Sequence, residues 1–332
     1  MTPAWSLALL APAWLGRHSA IDSAGPQAAH IEDLWWLMFW VCSAVFVAVM
    51  MAMGIAITRR RGGVGDAPES IALETRRRMN RTVGVALALT VVILFVLLVA
   101  SVSTGRAVAS LSAPRAPIIK VTGKQWWWQV EYIDKVPARS LTTANEIHIP
   151  TGKPVLVRLE SSDVIHSFWV PNLHGKRDAI PGHESEIWIQ ADHPGVYRGQ
   201  CAEFCGFQHA HMGLEVIAES PERFAAWYNA QLLPSALPAT PVEQRGRQLV
   251  QSLPCALCHN IQGTQAGGRV GPDLTHLASR RTLAAGTLPN TPGNLAGWIV
   301  DPQTIKPGNH MPANNLPSSD LQALLAYLGS LK

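Results

Sequence analysis

Hydrophobic and polar positions follow three rhythms along this chain. Two runs carry no charged residue, "LWWLMFWVCSAVFVAVMMAMGIAI" at 34–57 and "TVGVALALTVVILFVLLVASVSTG" at 82–105. Each is long enough for a helix of about 36 Å at ~1.5 Å per residue, more than a hydrocarbon core of ~30 Å. Two membrane-spanning helices are predicted. From 118 to about 217 the rhythm changes to short runs rich in Val, Ile, Thr and Trp with Gly and Pro between them, such as "EIHIPTGKPVLVRLES" and "SEIWIQAD". That spacing predicts an all-β sandwich or barrel. "PERFAAWYNAQLL" then reads as a short helix and "PSALPATP", at 234–241, as a proline-stiffened linker. The last stretch is helix-rich. It opens on the amphipathic "VEQRGRQLVQSL", where Gly246 permits a close helix crossing, and ends on "SSDLQALLAYLGSLK", with Ser318 or Ser319 as the expected cap.

Composition agrees with a membrane part. Of the 332 residues, 48% are hydrophobic and only 15% charged. The net charge of +4 is uneven. The loop between the apolar runs holds Arg59, Arg60, Arg61, Arg76, Arg77, Arg78 and Arg81. Positive loops stay in the cytoplasm, so both ends of the hairpin are expected outside. Residues 105–232 are close to neutral and 240–332 are mildly positive. An apolar run at 5–15 reads as a signal peptide or an uncleaved tail, without the positive start of a good signal. The boundaries that follow are 1–30 for a signal or N-terminal segment, 31–105 for the transmembrane hairpin, 106–232 for the β domain, 233–241 for the linker and 242–332 for the helical domain.

Five cysteines carry most of the chemistry. Cys42 lies in the first apolar run and reads as a small packing residue. Cys255 and Cys258 form "CALCH", the attachment signature of a c-type haem, with His259 as an axial iron ligand. The loop "GPDL" suits a carbonyl that holds the His259 ring proton. Met311 is the only methionine beyond His259 and reads as the sixth ligand, with His310 beside it as a rival. A disulfide or redox dithiol would explain neither His259 nor Met311.

In "GQCAEFCGFQHAHMG", at 199–213, Cys201, Cys205, His209 and Met212 follow Cys-x₃-Cys-x₃-His-x₂-Met with Glu203 between the cysteines. Two thiolates, an imidazole and a thioether suit copper. Structural zinc would not use the methionine. A Cys201–Cys205 disulfide would leave the histidines and Met212 unexplained. On an extended segment His211 points the same way as His209, so only spacing favours His209. "SSDVIHSFWVPNL" supplies a further histidine, His166.

"VIHSFWVP", "KRDAIPG" and "GVYRGQCAEFCGFQHAHM" together resemble subunit II of cytochrome c oxidase, and "GKQWWWQVEY" and the membrane hairpin fit the same family. The resemblance covers roughly residues 30–230. The end of the chain resembles a class I cytochrome c, so the whole is similar to the fused subunit II of caa-type oxidases. The implied fold class is multidomain: a two-helix transmembrane hairpin, an all-β cupredoxin-like barrel and an all-α class I cytochrome c domain. The implied cofactors are a dinuclear copper (CuA), haem c, and magnesium shared with subunit I.

By the same resemblance, Cys201 and Cys205 bridge the coppers, His166 and His209 each cap one, and Met212 is a weak ligand. Glu203 binds through its carbonyl while its side chain faces the magnesium. Trp126, the first tryptophan of "WWW", matches an exposed electron relay; in a strand it would share a face with Trp128. Implied partners are oxidase subunit I and the other oxidase subunits, the membrane, and an external cytochrome c or a quinol–cytochrome c reductase as donor; nucleic acid is not among them. The implied place is the bacterial inner membrane with both metal domains on the outer side.

One departure stands out. The family has an acidic residue and "WT" before its second span; here that stretch reads "RRRMNRTVGV", Glu74 lies further upstream, and proton entry has no assigned residue. His148, His174, His183 and His193 have no partner motif and read as ordinary strand or loop histidines. The competing readings are an electron-transfer protein of a nitrous-oxide-reducing system and, from another class, a copper-delivery or haem-sensing protein of the membrane surface. The tether at 234–241 predicts docking of one outer domain on the other at high effective concentration, and the charge difference adds a weak bias that fades with salt.

Overall fold

The computed structural model describes residues 17–59, 73–111, 113 and 116–332. The run at 5–15, Arg60 and Arg61 lie outside the described residues. The chain divides into two units, 29–110 and the remainder. The first unit is helical. Helix α1 spans Pro26–Thr58 and α2 spans Leu73–Ala109. Both are apolar and long enough to cross a membrane, and their apolar windows are exposed along their length. Both outrun the charge-free segments. Arg76, Arg77, Arg78 and Arg81 continue α2 as good helix formers. Glu74 sits in its first turn, where its carboxylate takes Arg78 at 2.6 Å, an i,i+4 pair.

In the second unit a β domain comes first. Its strands are β1 (Ile118–Lys124), β2 (Trp127–Ile133), β3 (Leu141–Ala144), β4 (Glu146–Pro150) and β5 (Val155–Ser161). They continue with β6 (His166–Trp169), β7 (Arg177–Ala179), β8 (Ser185–Ile189), β9 (Gly195–Cys201) and β10 (Gly213–Glu219). One sheet has the order β3-β2-β1-β5-β8 and the other β4-β10-β9-β6-β7. The pairs β1–β5 and β4–β10 are parallel, and the remaining neighbours are antiparallel. Alternation places Trp128, Val130 and Tyr132 of β2 inside, where they join Ile119, Val121, Ile147, Val157, Phe168 and Val216 in one core. Helix α3 (Pro221–Gln231) starts at Ser220, whose hydroxyl accepts from the Arg223 N–H. It lays Trp227 flat on His148, centroids 3.9 Å apart, and His148 Nδ1 meets Glu219 at 3.0 Å. His148 is thus a satisfied packing residue.

Residues 17–28 belong to the same body. Arg17 N–H donates to Val196 O and Arg17 O accepts from Arg198 N–H, and Ala24, Gln27 and Ala28 are buried.

The C-terminal part is α4 (Pro241–Ser252), the single turn α5 (Cys255–Cys258), the short pair β11 (Thr282–Leu283) and β12 (Leu288–Pro289), α6 (Pro292–Val300), α7 (Pro302–Ile305) and α8 (Ser318–Ser330). Thr240 and Glu243 close a capping box on α4. No serine caps α8. Pro317 is its N-cap and makes no side-chain cap bond, and Ser318 is already helical. The proline fixes the entry angle and moves the boundary one residue upstream of the expected cap.

Helices α4 and α8 cross at Gly246. A Cβ there would lie 2.0 Å from Ala323 O and 2.7 Å from Tyr327 Cβ. The opposing atoms are backbone and a fixed Cβ, so they cannot step aside. Gly246→Ala is expected to destabilise this domain by roughly 1–3 kcal/mol, the cost of overpacking. Native-state hydrogen exchange of the α4 and α8 amides measures it; wild-type protection would show the crossing to be slack.

Candidate functional site

The loop after β9 folds back on the start of β6 and gathers the residues singled out above. Cys201 Sγ lies 3.8 Å from Cys205 Sγ. His166 Nδ1 is 3.9 Å from Cys201 Sγ, and His209 Nδ1 is 3.6 Å from Cys205 Sγ. Met212 Sδ is 3.9 Å from Cys205 Sγ, and Glu203 offers its carbonyl to Cys201 Sγ at 3.2 Å. All six candidate residues converge. Both sulfurs, His166 and Met212 are buried, and His166, Cys201 and Cys205 have ligand atoms close enough to share an ion. Without metal the sulfurs share protons unequally. The hydrogen bond from Cys205 holds the Cys201 thiol far below its ordinary range, and that bond, with burial, pushes Cys205 far above.

Three features hold the cluster in shape. Asp163 Oδ1 takes His166 Nε2 at 2.7 Å and so points Nδ1 at the sulfurs. Burial disfavours the charged His166 ring, but Asp163 and Cys201 outweigh it and raise its pKa. Gly123 of β1 lets the His166 ring lie on the strand; a Cβ would sit 2.6 Å from its Cδ2. Residues 209–211 form a 3-10 turn, not an extended segment. The turn separates the two histidines: His209 faces Cys205, while His211 Nδ1 meets Gln208 Oε1 at 2.8 Å. Asp163 escaped the sequence reading, although it stands three residues before His166. The Glu203 carboxylate points away to the surface, 3.5 Å from Lys176.

Trp126 departs from expectation twice. It sits in the turn before β2, not in the strand, and it is buried, 7% exposed. Its Nε1 donates to Cys205 O at 2.9 Å, beside a parallel bond from Gln125 Nε2 at 2.8 Å. What covers it is the C-terminal part: His310, with ring centroids 6.2 Å apart, and the loop at Gly308.

That loop walls a cavity of about 270 Å³. Cys255, Cys258, His259, Met311 and His310 all line it, with Trp298 and Leu295. His259 Nδ1 donates to Pro272 O at 2.7 Å, from the loop expected to hold its proton, which leaves Nε2 as the acceptor nitrogen. Burial lowers the His259 pKa, keeping the ring neutral and fit to ligate. Arg280 Nε is buried without a partner on the same wall. The cavity, two thiols on one turn, a neutral imidazole and a guanidinium with a spare Nε donor, its outer nitrogen already on Asp273 O, suit an acidic porphyrin. Met311 and His310 both border the cavity. Gln303 Nε2 and Asn309 Oδ1 grip the Met311 backbone at 2.8 Å each.

The β domain and the C-terminal domain meet through specific contacts, one of them an ion pair between a base of the positive segment and an acid of the near-neutral one. Arg281 Nε pairs with buried Glu215 at 2.9 Å, and Arg281 and Thr282 N–H groups donate to Glu146, whose carboxyl burial pushes up to about 7. Gly213 N–H donates to Ala285 O at 2.9 Å, and Gln208 Nε2 donates to Pro307 O at 2.7 Å. Lys306, 2% exposed, reaches across as well. Burial pushes its pKa down to about 7.

Comparisons with known proteins agree with this division. Residues 133–219 match the family "Cytochrome C oxidase subunit II, periplasmic domain", and residues 243–332 match "Cytochrome c". Cytochrome c oxidase subunit 2 of Alkalihalophilus pseudofirmus is 36% identical over 323 residues, 95% of this chain and 91% of that one. The protein of the same name from Bacillus sp. (strain PS3) is 29% identical over 82% of this chain and 79% of its own length. That from Bacillus subtilis is 30% identical over 66% and 64%.

Proposed function

The chain belongs to the cytochrome c oxidase subunit II family, and from that premise we propose that it is the electron-entry subunit of a haem-copper oxidase. In this reading electrons from a c-type haem on 242–332 reach a dinuclear copper in 106–232 and pass to subunit I, where oxygen is reduced to water with proton translocation. The observation that carries it is the convergence of buried His166, Cys201, Cys205 and Met212 with half-buried His209, each turning a soft or borderline donor to one point. When bound, the metals supply reversible one-electron chemistry.

The chain's own residues do the rest. Cys201 and Cys205 would hold the copper through their thiolates, His166 and His209 through Nδ1, Met212 through its thioether and Glu203 through its carbonyl. Asp163 holds the outer nitrogen of His166. Cys255 and Cys258 would anchor the porphyrin, His259 would hold its iron through Nε2, and Met311 would offer a thioether, a donor that favours the ferrous state. Trp126 joins the two sites through its bond to Cys205 O. The Glu203 carboxylate faces a magnesium shared with subunit I. The two apolar helices anchor the subunit in the bacterial inner membrane with both metal domains outside, because the arginine loop stays in. A soluble cytochrome c or a quinol–cytochrome c reductase is the donor.

Metal analysis and electron spin resonance of the purified full chain test this. Two coppers sharing one unpaired electron and one covalent haem are expected. Copper that exchanges freely with a chelator, in mononuclear form, would favour a copper-delivery protein.

A further inference from the structure

We propose that Lys306 is a positioning residue, a latch that fixes the C-terminal domain on the copper-binding face and so makes the electron donor a locked part of the subunit. The proposal rests on the electron-entry reading above.

Lys306 Nζ donates to three backbone carbonyls: Trp126 O at 2.7 Å, His211 O at 2.7 Å and Ala284 O at 3.1 Å. Each belongs to a different piece of the machinery. Trp126 carries the turn bonded to Cys205 O. His211 ends the 3-10 turn that begins at His209. Ala284, at φ 52°, leads into Ala285, whose carbonyl takes Gly213 N–H from across the interface, and Ala284 also lines the haem cavity. One ammonium therefore ties the relay turn, the copper loop and the cavity wall to a single point.

The chemistry fits only this side chain. A buried cation is tolerated when its hydrogen-bonding capacity is met, and an ammonium has three donors for three acceptors. A guanidinium is a planar fork and cannot aim three donors at carbonyls around one point. None of the three acceptors is a carboxylate. The group therefore gains little from ion pairing and works as a geometric clamp. It also joins residues far apart in sequence, as a clamp between separately folded parts must. Gln208 Nε2 to Pro307 O and Arg281 to Glu215 flank it and define the rest of the seam. With the seam closed, Trp126 lies covered, so a second cytochrome cannot replace the attached one at that ring.

Lys306→Leu in the full chain tests the latch, by hydrogen exchange and by flash-induced haem-to-copper transfer. A lost hydrogen bond to a charged group should raise the opening of the seam roughly ten- to hundredfold. Gly213 N–H, which spans the seam, should exchange faster by that factor, while Leu253 N–H, bonded to Leu249 O at the end of α4, should keep its rate. The transfer rate should become dependent on viscosity and ionic strength, with the wild type expected to be insensitive to both. Lys306→Arg should not rescue. Wild-type exchange at Gly213 with an insensitive transfer rate would overturn the latch. Equal acceleration at Leu253 would overturn it too, because Lys306 would then merely stabilise its own domain. Should Lys306→Leu fail to fold, Arg281→Gln with Glu215→Gln loosens the same seam from its edge. A smaller rise at Gly213 is expected, and none would overturn the proposal. The exchange readout does not depend on what the metal sites hold. A wild type without the shared-electron copper signal would refute the electron-entry reading and leave the latch result standing.

Discussion

Cys201→Ser is expected to abolish the mixed-valence copper signal. Cys201 is 3% exposed, lies 3.8 Å from Cys205 Sγ, and accepts no replacement from another sulfur on its side of the cluster, since Met212 is placed against Cys205. A hydroxyl at that point is a hard, neutral donor that cannot bridge two coppers as a thiolate does. Metal binding to the folded state adds about 4 kcal/mol at a thousandfold excess over Kd, so the β domain should also lose several degrees of thermal stability. Cys42→Ser, in the middle of α1, is the control and should change neither signal nor stability of the β domain. Spin resonance, copper content and a thermal melt of the full chain decide it. A variant with unchanged copper and an unchanged signal would remove Cys201 from the ligand set.

Trp126→Ala should slow haem-to-copper transfer by an order of magnitude or more with both metal spectra intact. The ring joins the two sites physically. Its indole nitrogen bonds Cys205 O, and its far edge lies under Gly308 and His310 of the C-terminal domain. Because the side chain is buried, truncation also costs about 3–5 kcal/mol of local stability. Trp126→Phe separates the two effects, since it keeps most of the bulk and loses the hydrogen bond. Flash reduction of the haem, followed at the copper absorbance, reads the rate. Wild-type transfer in Trp126→Phe alone assigns the coupling to the ring; wild-type transfer in both variants makes Trp126 a packing residue.

Much of the architecture was legible because its signals are local. The two spans announce themselves by missing charge, the strands by alternation, and "CALCH" and the 201–212 loop by spacing alone. The Pro272 carbonyl on His259 follows from the nearby loop, and Gly246 announces a close crossing by its size, though its partner Ala323 lies far along the chain. What escaped depends on how the chain turns and on what packs over it. Asp163 is near His166 in sequence, but nothing marks an aspartate as a histidine's support until the strand turns. The extended reading of 209–211 failed because the loop closes a tight turn around the sulfurs, which period-two reasoning cannot see. The Trp126 ring was expected exposed, as the resemblance implies; the attached cytochrome segment buries it. Lys306 has no motif at all. Its three partners lie 180, 95 and 22 residues away.

The crossing of α4 and α8 bears on how the chain is made. α4 opens the C-terminal domain and α8 is the last helix of the sequence, with Arg245 reaching Asp320 at 3.0 Å. This core therefore cannot close until two segments far apart in the chain have met. The turn that carries Cys255 and Cys258 follows α4 directly, so it has only one side of its support until α8 packs back. Docking of the late helix thus sets when the two thiols pass from an open segment into a walled one.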